Sequence, residues 1–137
     1  MHSSQRPIGY YLKQTDLALT RGIDALHQAR GLTRTHWQLL NLIQESGSIS
    51  KAHALENLSI FVDPAEFEQI LKGLVERAWV EPTRDGQLRL SPAGQQEHLA
   101  LLEAQKAFRA RFMKGISQEE YTTVVEVLRK MLDNLNT

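Results

Sequence analysis

The sequence predicts a mainly α-helical chain with one small β-hairpin, arranged as a winged helix-turn-helix. Three observations carry this. Asp85-Gly86 is a strong hairpin signal, because both central residues of a type I′ turn need positive φ. Leu88 and Leu90 alternate with Gln87 and Arg89, which gives the return strand one apolar face. Ser91-Pro92 then opens a helix, serine as the cap and proline at the first helical position, directly behind the hairpin.

The first helix is expected from about Ile8 to Ala29. Ile8, Leu12, Leu19, Ile23 and Leu26 make one apolar stripe, and Gly31 ends the element. Thr33 or Thr35 can cap a second helix through Trp37, Leu39, Leu40, Leu42 and Ile43, closing near Gly47. A third helix follows the Ser48/Ser50 caps with Ala52, Ala54, Leu55 and Leu58. The fourth starts at Asp63-Pro64, with Glu66 completing a capping box, and its predicted buried face is Phe67, Ile70, Leu71, Leu74 and Val75. The hairpin spans roughly Val80 to Leu90. A fifth helix runs from Pro92 toward Met113 on Leu99, Leu102, Phe108 and Phe112, and Gly115 breaks it. Ser117-Gln118-Glu119-Glu120 is a capping box for the last helix, where Tyr121, Val124, Val125, Leu128, Met131, Leu132 and Leu135 repeat at near-heptad spacing.

The length, 137 residues without an internal linker, fits a single domain over 1–137. A helix-turn-helix lobe is expected over about 32–92. The flanking helices, about 8–30 and 95–137, carry stripes long for so small a core, and the simplest use of them is a twofold homodimer. With no cysteine, disulfides and thiolate metal sites are excluded. Neither a signal-peptide core nor a run of transmembrane length is present, so a cytoplasmic location away from membranes is expected. The sequence lacks a Gly-rich phosphate loop, a Gly-x-Ser-x-Gly elbow and any His-Glu-x-x-His spacing, which argues against an enzyme, a metal or a cofactor. The 16 basic and 16 acidic residues balance, so any basic footprint must come from segregation of charge by face.

Leu74-Val75-Glu76-Arg77-Ala78-Trp79-Val80, Leu88-Arg89-Leu90-Ser91-Pro92-Ala93-Gly94 and Leu32-Thr33-Arg34-Thr35-His36-Trp37-Gln38-Leu39-Leu40 together resemble the MarR family of winged-helix regulators. They are similar to the end of that family's recognition helix and first wing strand, its second wing strand with the following helix, and its second-helix entry. The resemblance covers Ile8 to Leu135. It implies a homodimeric transcriptional regulator, a repressor, that puts one recognition helix per subunit into the major groove of double-stranded DNA. It also implies release by a small aromatic ligand.

Arg34, Lys51, Lys72, Arg84 and Arg89 are the expected phosphate contacts, with Arg30 and His36 nearby, because affinity for DNA comes largely from neutralised phosphates. Gln69 is the candidate base reader, since glutamine can pair bidentately with adenine. Tyr11, His36, Trp37 and Phe108, with Tyr10 and His27, are the candidate ligand-binding residues, aromatic groups with a few polar atoms being suited to an aromatic acid. Asp63, Glu66 and Glu68 place carboxylates on the front of the recognition helix, and Gln87 stands where the family's wing carries arginine. The second reading is therefore a winged-helix dimer with little DNA affinity that binds a ligand or a protein.

Overall fold

The computed structural model describes residues 5–137. These form six helices and one hairpin in the order α1 (Ile8–Gln28), α2 (Arg34–Ser46), α3 (Lys51–Leu58), α4 (Pro64–Glu76), β1 (Val80–Pro82), β2 (Leu88–Leu90), α5 (Pro92–Phe112) and α6 (Gln118–Leu135). The fold class predicted from the sequence is the one observed. The chain divides into a first compact unit ending at Gln105 and a second, Lys106–Thr137.

Local chemistry sets most helix starts. Asp63 Oδ1 accepts from Glu66 N at 2.9 Å, with Pro64 at the first helical position of α4. Ser50 Oγ accepts from His53 N at 3.1 Å to open α3. Ser117 and Glu120 exchange hydrogen bonds at 3.0 and 2.9 Å to open α6. Of the two threonines that could cap α2, Thr33 is used. His36 Nδ1 accepts from Thr33 N at 3.1 Å and from Thr33 Oγ1 at 2.8 Å, so histidine fills the role usually taken by Glu or Gln.

The core of the first unit gathers Leu39, Leu40 and Ile43 of α2, Ala54 and Leu58 of α3, Phe67, Leu71 and Leu74 of α4, and Val80, Leu88 and Leu90 of the hairpin. Phe67 is fully enclosed, worth about 2 kcal/mol as area removed from water. Two details of the predicted faces change. On α4 the buried stripe is Phe67, Leu71 and Leu74, while Ile70 is half-buried and Val75 is 43% exposed, one step round the helix. On α5 the buried positions are Gly94, His98 and Leu101, again one stripe at helical spacing; Leu99 is 57% exposed and faces away from it.

The hairpin is antiparallel, with Val80 opposite Leu90, Glu81 opposite Arg89 and Pro82 opposite Leu88. Its turn is not the expected type I′. Gly86 alone takes positive φ, at 80°, and Asp85 does not. Gly86 N donates to Thr83 O at 3.1 Å and Thr83 N to Gln87 O at 2.8 Å, which encloses a three-residue loop, Arg84-Asp85-Gly86. Thr83 Oγ1 bonds Asp85 Oδ1 and accepts from Gln87 N, so the threonine holds an ordinary turn in front of one left-handed glycine. On its other edge β2 exchanges hydrogen bonds with Ile49, a one-residue third strand that the sequence did not signal.

α4 ends with Ala78 in the left-handed region, φ 62°. Trp79 N reaches back to Leu74 O at 3.1 Å and Ala78 N to Val75 O at 2.9 Å, the paired bonds of a Schellman ending. Ser91 ties this ending to the next helix: its Oγ donates to Ala78 O at 2.5 Å and accepts from Gly94 N at 3.0 Å, and its N donates to Trp79 O at 3.0 Å. A Cβ on Gly94 would lie 2.0 Å from Trp79 O, so only glycine allows this crossing.

Candidate nucleic-acid interface

α3, the turn after it and α4 form the helix-turn-helix, and the β1–β2 hairpin is the wing. The core takes Phe67, Leu71 and Leu74, which leaves Glu68, Gln69, Lys72 and Glu76 exposed along the opposite face of α4. The wing is held to the preceding loop by the Ile49–Leu88 bridge and by Ser48 Oγ donating to Gln87 Oε1 at 2.8 Å.

The six expected DNA contacts divide by their partners. Lys51 Nζ lies 2.7 Å from Glu68 Oε1, joining α3 to α4. Arg89 Nε donates to Glu81 Oε1 at 3.0 Å, its opposite number across the hairpin. Arg34 meets Asp24 Oδ1 at 3.3 Å, between α2 and α1. Lys72 and Arg84 are exposed and, among the described residues, have no carboxylate partner, and Gln69 is exposed on α4 beside Lys72. Lys51, Gln69 and Lys72 thus share the helix-turn-helix and Arg84 and Arg89 the wing, while Arg34 opens α2. Arg30, the additional cation, is held by both oxygens of Glu97, at 2.9 and 3.0 Å.

The front carboxylates each have a local explanation. Asp63 and Glu66 form the α4 capping box, where negative charge also complements the helix dipole. Glu68, which capping does not explain, holds Lys51. The turn before α4 exposes two large apolar side chains, Ile60 at 83% and Phe61 at 58%. Sequence reasoning passed over them because an apolar pair beside Val62, which is buried, reads as core.

The expected ligand-binding residues have separate surroundings. Tyr11 is exposed on α1, its hydroxyl accepting from Arg6 N at 3.3 Å and its ring edge-on to Tyr10. His36 closes the α2 cap, and burial, then Arg77 and His27, push its pKa below the usual imidazole value. Trp37 stacks on His98 at 4.9 Å; His98 Nε2 bonds Asn41 Oδ1 at 2.9 Å, and burial lowers its pKa. Phe108 belongs to the second unit, packed against Phe112 under Arg111. A cavity of about 480 Å³ opens elsewhere, between the end of α1 and the start of α2, and of the residues named for a ligand only His27 lines it. Among the described residues no cluster of His, Asp or Glu could hold a metal ion, and no helix is long and apolar enough to cross a membrane.

No family model and no curated protein matches the sequence. Solved structures do match in shape. The reduced form of MarR from E. coli superposes with a TM-score of 0.69 at 20% identity, over 94% of this chain and 96% of that one. A MarR-family protein of Mycobacterium tuberculosis, in complex with DNA, gives 0.71 at 21% identity, over 93% and 98%. A variant of E. coli MarR complexed with operator DNA gives 0.66 at 20% identity, over 92% and 94%. At these identities the likeness establishes the fold, which is the MarR winged helix over nearly the whole chain.

Proposed function

We propose that this protein is a homodimeric transcriptional regulator, a repressor acting in the cytoplasm, that binds duplex DNA through α4 and the wing. The observation that carries the reading is the exposed face of α4, where Gln69 and Lys72 stand one turn apart with no ion-pair partner among the described residues, together with a wing whose Arg84 likewise has none among them. Glutamine can read adenine and the two cations can neutralise phosphates, so one element reads sequence and two supply affinity. Two of the structures with this fold are of proteins bound to DNA.

A dimer is supported by α6, which buries none of its side chains and exposes Val124, Val125, Leu132 and Leu135. α1 likewise exposes Ile8, Leu12 and Leu17. Apolar stripes of this length call for cover, and a second copy supplies it in a closed twofold arrangement. Release of DNA by a small aromatic ligand belongs to the same proposal through the family resemblance. Sedimentation combined with fluorescence anisotropy on mixed genomic fragments, from low to physiological salt, tests it. A dimer with salt-sensitive binding that sharpens on a subset of fragments is the expected result, and a monomer, or no binding at low salt, refutes it.

One observation favours a second reading. Ile60 and Phe61 project beside Asp63 and Glu66, an apolar tip with an acidic rim that suits a protein partner better than a polyanion. Retained dimerisation with no DNA binding at any salt concentration would favour it.

A further inference from the structure

His27 is the only buried side chain of α1, 1% exposed, and among the described residues neither of its ring nitrogens has a hydrogen-bond partner. A neutral imidazole brings one donor and one acceptor, and leaving both unmatched in the interior is costly. Burial, and after it the charge of Arg34, keep the ring below its usual pKa and therefore neutral. The cavity of about 480 Å³ beside it is lined by His27 together with Asp24 and Arg34, the two charges that act on its ring. That volume lies within the range of small-molecule pockets.

The lining mixes polar and apolar surface and carries charges of both signs. Thr20, Gln28 and Thr35 supply hydroxyl and amide groups, and Leu32 is the one aliphatic residue. Arg34 and Thr35 are the first residues of α2, so their backbone N–H groups have no intrahelical acceptor and point from the positive end of the helix. Asp24 faces them from α1. The Asp24–Arg34 contact is a single 3.3 Å approach between two half-exposed side chains, weak enough to part around a ligand with complementary charges.

We propose that this cavity binds a small zwitterion, a free α-amino acid, with its carboxylate at Arg34 and the start of α2 and its ammonium at Asp24. The ring nitrogens of His27 are closed off from water, so the ring must turn toward the cavity for a polar side chain on the ligand to supply the partner it lacks. A carboxylic acid, aromatic or not, would leave Asp24 facing a like charge, and an amine would leave Arg34 unmatched. The proposal is independent of DNA binding.

The test is calorimetric titration of the intact protein with each of the common amino acids in turn. At least one with a short polar side chain binds, while its α-hydroxy-acid analogue, which lacks the ammonium, and its amide, which lacks the carboxylate, each bind about tenfold more weakly or worse, a loss of ~1.4 kcal/mol. Asp24→Asn and Arg34→Gln each weaken binding by a similar factor with the circular dichroism spectrum unchanged, and His27→Asn does so if it folds. Failure of every amino acid to bind, binding indifferent to Asp24→Asn, or benzoate binding where the amino acids do not would each overturn the proposal.

Discussion

Lys51 of α3 and Glu68 of α4 meet at 2.7 Å, so a cation expected to face phosphate already has a carboxylate partner inside the helix-turn-helix. In the proposed complex DNA would compete with Glu68 for that lysine. Both side chains are half-exposed, and such pairs add only ~0–1 kcal/mol to folding. Glu68→Gln is therefore expected to leave the melting temperature almost unchanged and to tighten DNA binding by roughly three- to tenfold at low salt, as Lys51 is released and one negative charge leaves the proposed interface. Anisotropy titrations of the variant against the parent protein check this, and unchanged or weaker binding would remove Glu68 from the DNA face.

Among the described residues Lys72 and Arg84 have no carboxylate partner. Lys72→Ala and Arg84→Ala are each expected to weaken binding to all DNA sequences alike and to lower the salt slope by about one. Gln69→Ala should instead weaken binding to preferred fragments and spare the rest, costing about 1–3 kcal/mol of discrimination. Binding measured on specific and random duplexes at several salt concentrations separates the two patterns.

The α4–α5 junction makes two opposite stability predictions. Gly94→Ala drives a methyl group against the Trp79 carbonyl and is expected to cost about 2–4 kcal/mol. Ala78→Gly relieves a left-handed alanine at a helix ending and is expected to gain about 0.5–1 kcal/mol, a few degrees in Tm. Urea unfolding of the two variants measures both, and a neutral Gly94→Ala would mean that the crossing is looser than it stands here.

His27, His36 and His98 are all held below the usual imidazole pKa, with burial the largest cause in each. The unfolded chain then takes up protons below about pH 6.5 that the folded chain refuses. Stability is expected to be level above that pH and to fall as the pH drops through it toward the lower folded values. Chemical denaturation between about pH 8 and pH 5 reads this directly, and His27→Asn should flatten part of the slope. Stability that rises on acidification would contradict the sign.

Features fixed within a few residues were legible in the sequence. The Asp63-Pro64-Glu66 and Ser117–Glu120 boxes, the breaks near Gly31 and Gly115, and the hairpin's location all follow from local chemistry. The turn type did not follow, because Asp85-Gly86 serves equally in a loop where only glycine takes positive φ and Thr83 supplies the bracing. Among the site residues, exposed cations could be named but their partners could not. Glu68 and Asp24 reach their arginine or lysine across helix–helix approaches that no local spacing encodes. Ile49 pairs with Leu88 in the same way, through a loop that carries only one strand residue. The cavity beside His27 was hidden for a related reason, since its lining comes from the end of one helix, the loop after it and the start of the next, which no single periodic pattern reports.

The Ser91 side chain has a mechanical meaning beyond capping. It grips the carbonyl that ends α4 and the first turn of α5, while its backbone N–H holds Trp79 at the foot of β1. The end of α4, the first residue before β1 and the first turn of α5 therefore share one pivot. A tilt of the near end of α5 is therefore passed through Ser91 to α4 and the wing strand together.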